Sequence, residues 1–189
     1  MKKQTLILIV ILAGLISCIK NNDADTTTPP PLPPVVVLNT ADSVLLLDET
    51  VSGLKEATRL AQNNPASDFY TTGFYLPAFT NMMVEVTSLN GSRLPTLLVG
   101  TYSRYRASWN PTSHTLTSGI NTITDANGGI IYFRFHNDNP TGKVRIKFIS
   151  GMKPVPYYQL GRTTQADWVK MVDNLTTVPD VQLVGNKTI

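Results

Sequence analysis

From Gly73 onward the apolar side chains of this chain fall at alternate positions, and that period of two constrains the fold more than any other feature. In Val144-Arg145-Ile146-Lys147-Phe148 apolar and basic residues alternate without a break. A strand with this pattern turns one face to a core and the other to water, because successive side chains leave opposite sides of the backbone. Ile131, Phe133 and Phe135 form a matching apolar face on the preceding segment. The turn-forming run from Asn137 to Gly142 between them predicts an antiparallel hairpin with a longer loop. Candidate strands lie near 73–78, 82–89, 95–102, 120–124, 129–135, 143–149 and 154–160. Many short strands without interleaved helices predict a mainly β protein, built as an antiparallel β-sandwich.

Two helices are predicted at its ends. Val44, Leu47, Val51, Leu54 and Ala61 recur at helical steps, which reads as an N-terminal amphipathic helix from about Asp42 to Gln62. Asp42, Asp48 and Glu49 then lie towards its positive end. Gly53 near its middle costs about 1 kcal/mol and marks a candidate break. At the other end, Thr164 followed by Asp167 resembles a capping box that opens a short C-terminal helix through Trp168, Met171, Val172 and Leu175. Pro179 ends it, and Val181 to Val184 reads as one more strand without an obvious partner.

The start of the chain reads as an address. Lys2 and Lys3 precede an unbroken apolar run from Leu6 to Ile16 that stops at Ser17 and Cys18. That run is about half of the ~20 residues a membrane-spanning helix needs, so residues 1–17 are expected to be removed as a signal peptide. Leu15-Ile16-Ser17-Cys18 resembles the bacterial lipobox, which predicts lipidation of Cys18 as the mature N-terminus. Cys18 is the sole cysteine, so no disulfide forms within the chain, and lipid accounts for a thiol that would otherwise be left over. Several acyl chains on one residue anchor stably, where a single chain binds reversibly. The expected location is therefore an outer membrane, with the protein facing the periplasm or the cell surface. Ile19 to Pro34, with prolines at 29, 30, 31, 33 and 34, cannot bury apolar area, and residues 18–40 are expected to form an extended tether. Residues 41–189 remain as a single β-rich domain.

The formal charge of +3 includes Lys2 and Lys3, so the mature chain is near neutral. Its basic residues are dispersed, and no nucleic-acid partner is expected.

The residues offer little catalytic chemistry. Zinc peptidases of the common helical type need two histidines four apart with a glutamate between them. The only histidines, His114 and His136, stand twenty-two positions apart, one in a Pro/Thr/Ser-rich loop and one leaving a strand. No metal site and no catalytic residue is expected, nor is a serine-nucleophile elbow present. Gly128-Gly129 precedes no helix and reads as a tight turn feeding the strand at Ile130, not as a phosphate cradle. One cluster remains. Tyr102, Arg104, Tyr105, Arg106 and Trp109 gather aromatics and guanidinium groups in a loop, where they either anchor that loop to the core or stack on sugar rings.

Several segments together carry a resemblance. Thr72 to Ala78, Val84-Glu85-Val86, Leu98 to Tyr102, Gly128 to Tyr132, Pro156 to Gly161 and Asp167-Trp168 follow one another in the order and spacing of the N-terminal part of the enhancin-like, mucin-degrading zinc metallopeptidases of peptidase family M-sixty. The resemblance covers roughly residues 70 to 185. It implies a β-sandwich at the cell surface, association with mucin-like glycoproteins, and structural roles for Gly128, Gly129 and Tyr132. Zinc is implied only for a following catalytic region carrying H-E-x-x-H, which this sequence does not contain, so no cofactor is expected in this chain. Three expectations follow. The first is a lipid-anchored N-terminal fragment of such a peptidase, truncated or split from its catalytic portion and inactive alone. The alternative is a non-catalytic glycan- or glycoprotein-binding surface lipoprotein, and the default is a structural one.

Overall fold

The alternation in the 144–148 segment becomes strand β8 (Lys143–Ser150), with Val144, Ile146 and Phe148 buried and Lys143, Arg145 and Lys147 exposed. The computed structural model describes residues 42–63, 68–101 and 111–185. The signal peptide, Cys18, the tether and the cluster Tyr102, Arg104, Tyr105, Arg106 and Trp109 lie outside the described residues.

The strands form two packed antiparallel sheets. One has the order β1 (Val44–Asp48), β8, β3 (Met82–Asn90), β6 (Gly119–Ile123). The other has the order β5 (Thr112–Thr115), β4 (Thr96–Gly100), β7 (Gly129–Arg134), β2 (Phe69–Leu76), β9 (Lys153–Pro154). Leu47, Val84, Val86, Val144, Ile146 and Phe148 from the first meet Phe74, Leu97, Val99, Ile131, Phe133 and Phe135 from the second in one core. Phe148 bridges the layers, with its ring centroid 4.6 Å from Phe74 and 6.0 Å from Phe133. The mainly β, sandwich reading is therefore correct.

The predicted hairpin is not. β7 pairs with β2 and β4 in one sheet, while β8 pairs with β1 and β3 in the other. The run from Asn137 to Gly142 carries the chain across the sandwich. Alternation states which side of a strand is apolar, and two such strands match equally well side by side or face to face. Phe133 and Phe148 adopt the second arrangement.

The N-terminal helix is shorter than its periodicity suggests. Val44 to Asp48 is strand, in antiparallel register with Lys147 to Lys143 of β8. Four consecutive apolar residues, Val44 to Leu47, satisfy a helical and an extended pattern together, and pairing with the edge of β8 selects the extended one. Helix α1 (Gly53–Arg59) begins at the residue that looked like a break. The Ser52 hydroxyl caps it by accepting from the Lys55 N–H at 3.2 Å, and Ala57 is buried. Asp48 and Glu49 lie outside the helix.

A third layer covers the outer face of the five-stranded sheet. Val155 and Val178 pack there against Tyr75, Ile130 and Tyr132. β10 (Tyr157–Gln159) pairs in parallel with β11 (Gln182–Val184), the partner the sequence did not reveal. The Gln182 side-chain oxygen accepts from the Gly73 N–H at 2.6 Å and ties this layer to β2. Helix α2 (Gln165–Asn174) is capped by Thr164, which accepts from the Asp167 N–H at 3.1 Å, as the capping-box pattern predicts. Met171 is its buried residue, and Trp168 packs edge-on to Tyr158 at 5.8 Å. Thr164→Ala is expected to cost about 1 kcal/mol, measured as a lower thermal midpoint with unchanged secondary structure by circular dichroism.

Gly128 and Gly129 form the turn expected of them. The Asp125 carboxylate accepts from the N–H groups of Asn127 and Gly128 at 2.8 and 2.7 Å. Burial raises the Asp125 carboxyl, but those two donors, the Thr112 side chain and nearby His114 outweigh it and hold the group below its ordinary value. Gly128 sits at φ +61°, and Gly129 passes so close to Gly100 that a Cβ there would lie 2.6 Å from the Gly100 Cα.

Candidate functional site

At one end of the sandwich a cleft of about 250 Å³ opens between the segment after β1, the turn before β4 and the residues that follow β7. Glu49, Arg93, Thr96, Arg134, Phe135 and His136 line it, with Leu94 at its side. Strand pairing brings these residues together. Thr96 on β4 and Phe69 on β2 stand directly opposite Arg134 on β7, and a bridge between Thr50 and His136 holds the end of β7 against the segment after β1.

The wall contains two anchored guanidinium groups. The Nε and Nη2 of Arg93 donate to the two oxygens of Glu49 at 2.6 and 2.7 Å, a bidentate pair. Glu49 also accepts from the N–H groups of Thr141 and Gly142 at 2.8 and 2.9 Å. Its side chain is fully shielded from solvent, whereas that of Arg93 is 46% exposed. The hydrogen-bonded Arg93 guanidinium, helped by those two backbone donors, outweighs burial and pulls the Glu49 carboxyl down to about 2. Arg134 donates through Nε to Asp68 at 2.9 Å, and the second Asp68 oxygen lies 3.3 Å from His136 Nε2. The Nη groups of Arg134 make no hydrogen bond among the described residues.

No local pattern in the sequence marks this cleft. Arg93 carries no motif signal, and Glu49 was assigned to a helix N-terminus. Their pairing spans forty-four positions, and nothing in either neighbourhood announces it.

The two histidines are placed apart in function. His114, expected in a loop, lies on β5, where Thr112 to Thr115 pair with β4 through their backbones. Those four polar residues carry no apolar alternation, so the strand left no pattern to read. Its Nε2 is 3.6 Å from Asp125, while His136 faces Asp68. Among the described residues no three of His, Cys, Asp and Glu come together as metal ligands. Each histidine is turned to a different single carboxylate. Likewise, no helix among the described residues is long and apolar enough to cross a membrane.

Solved structures share this architecture. The chain is 28% identical, with a TM-score of 0.57, to a functionally unknown conserved protein from Bacillus anthracis strain Ames, over 69% of this chain and 26% of that one. It is 20% identical, TM-score 0.60, to the catalytic module of the metalloprotease ZmpA from Clostridium perfringens, over 78% and 33% of the two chains. It is 22% identical, TM-score 0.55, to the M60 catalytic domain of ZmpC from the same organism, solved with the sialyl T antigen, over 69% and 28%. The last two likenesses show the fold alone. This chain spans about a quarter to a third of these three structures. No curated protein matches it. A family model described as the N-terminal domain of M60-like peptidases matches residues 53–149, from the start of α1 to the penultimate residue of β8. That match covers just over half of the 189 residues, and this chain accordingly belongs to the family of N-terminal domains of M60-like peptidases.

Proposed function

We propose that this chain is a lipid-anchored, non-catalytic module of an M60-like metallopeptidase, held at the outer membrane through Cys18, which engages mucin-like glycoproteins for a catalytic region that it does not itself contain. The observation that carries the reading is the family match across the sandwich, in a sequence that holds no H-E-x-x-H. The apolar run ending at Cys18 supports the anchor. Two metallopeptidases of similar fold have been solved with bound antigens, ZmpC with the sialyl T antigen and another with the Tn antigen. They support glycoprotein as the partner.

The test uses the full chain expressed in bacteria. Metabolic labelling with a fatty acid is expected to mark the protein and to be lost in Cys18→Ala. The detergent-solubilised chain, incubated with zinc and mucin, is expected to retain mucin without cutting it. Zinc-dependent proteolysis, or an unlabelled wild-type chain, would refute the reading. A second reading, a self-sufficient glycan-binding lipoprotein, is motivated by Tyr105 and Trp109 between β4 and β5. Glycan-array binding that disappears in Tyr105→Ala and Trp109→Ala, with folding intact, favours it.

A further inference from the structure

We propose that the cleft between Arg93 and Arg134 is a binding site for the carboxylate of an acidic monosaccharide. The proposal deepens the glycoprotein reading and rests on it for the class of ligand; the site itself rests on the geometry.

Four features point the same way. First, Arg134 is tethered through Nε to Asp68 at 2.9 Å, which fixes the plane of its guanidinium and leaves the two Nη groups unbonded among the described residues. A planar fork held in advance suits a carboxylate, because less side-chain freedom is lost on binding. Second, the charge of the carboxylate among the described lining residues is already compensated by its pairing with Arg93. Glu49 already accepts four hydrogen bonds, from Arg93 twice, Thr141 and Gly142, and is fully shielded from solvent. Third, Thr96 stands opposite Arg134 in register and lines the cleft with it, while Leu94 supplies apolar lining for a ring face or an acyl methyl group. Fourth, a cleft of about 250 Å³ lies below the usual ~300–1,000 Å³ of drug-sized pockets and suits one sugar unit better than an extended chain.

The charges also decide between a bare anion and an organic acid. Arg93 and Arg134 are balanced by Glu49 and Asp68, and His136 faces Asp68 rather than adding a free cation. With so little net field, free sulfate or phosphate gains little from the cleft. A ligand that adds ring and hydroxyl contacts to the fork gains more.

The experiment titrates the full chain in detergent with the methyl glycoside of N-acetylneuraminic acid, following amide shifts of Thr96, Arg134 and His136 by NMR. Methyl galactoside and inorganic sulfate serve as the neutral sugar and the bare anion. The acidic glycoside is expected to shift these amides saturably, and the other two are expected not to. Arg134→Gln is expected to weaken binding about 10- to 100-fold, the range for losing hydrogen bonds to a charged group. Thr96→Val leaves every ion pair intact and is expected to weaken it by a smaller factor, which keeps the test valid if Arg134→Gln fails to fold. Equal binding of methyl galactoside, equal binding of sulfate at the same amides, or unchanged affinity in both folded variants would overturn the proposal. Mucin retention reads the other proposal separately. A chain that holds mucin but not the acidic glycoside loses the cleft assignment alone, and one that binds the glycoside but no mucin loses the glycoprotein reading alone.

Discussion

Glu49→Ala is expected to lower the unfolding free energy by roughly 2–6 kcal/mol, the cost of orphaning two backbone donors at about 1–3 kcal/mol each, seen as a reduced denaturant midpoint with an unchanged slope. Those donors are the N–H groups of Thr141 and Gly142, which both end on Glu49 Oε2. Gly142 has no alternative, because it is buried, and a Cβ there would already lie 2.6 Å from the Phe135 ring. Arg93 contributes less to the loss, since at 46% exposure it regains water when its partner goes. What the carboxylate secures is the crossing from β7 to β8, where the chain passes between the sheets. The same group sets an acid limit. Its carboxyl is held at about 2 against an ordinary 4.5, chiefly by Arg93. A folded-state value below the unfolded one means that the stability it confers is complete above about pH 4.5 and is lost as pH falls towards 2. Urea midpoints measured between pH 6 and pH 2 are expected to fall more steeply for the wild type than for Glu49→Gln. Parallel curves for the two proteins would show that Glu49 is not the group responsible.

Gly128→Ala is expected to cost about 2–5 kcal/mol, combining about 1–2 kcal/mol for an L residue in the left-handed region with about 1–3 kcal/mol for crowding a packed site. At φ +61° the new Cβ would lie 2.4 Å from the Leu76 carbonyl oxygen and 2.6 Å from the Ala78 nitrogen. Both are backbone atoms at the end of β2, so no rotamer change relieves the contact. The turn at Asp125 that aims β7 between β2 and β4 must then shift, and with it Ile131 and Phe133 in the core. Thermal melts of Gly128→Ala against Gly161→Ala provide the control. Gly161 also has a positive φ, +81°, but an added Cβ there meets nothing within 4 Å. A loss in Gly128→Ala no larger than in Gly161→Ala would mean that backbone strain alone matters and the close approach does not.

Where the sequence was read correctly, short-range physics was enough. Alternation along β8 depends only on which side of a strand each residue leaves, and the structure buries Val144, Ile146 and Phe148 as that pattern requires. Thr164 caps α2 because its hydroxyl reaches an N–H three residues on, a contact set by local geometry alone. The glycine pair makes the turn expected of it. Where the reading failed, the deciding partner was distant in sequence. Val44 to Leu47 carry both periodicities, and only the edge of β8, about a hundred positions on, chooses strand over helix.

A mainly β sandwich and a capped C-terminal helix follow from the order of residues alone, since periodicity and capping are properties of neighbouring positions. Three features emerge only once the chain is packed: β7 and β8 face each other across the core instead of pairing, β11 finds β10, and Glu49 meets Arg93 beside Arg134 and His136. The physical reason is common to all three. Each depends on which strands lie side by side, a choice made by filling one shared apolar volume, and no local pattern of residues encodes it.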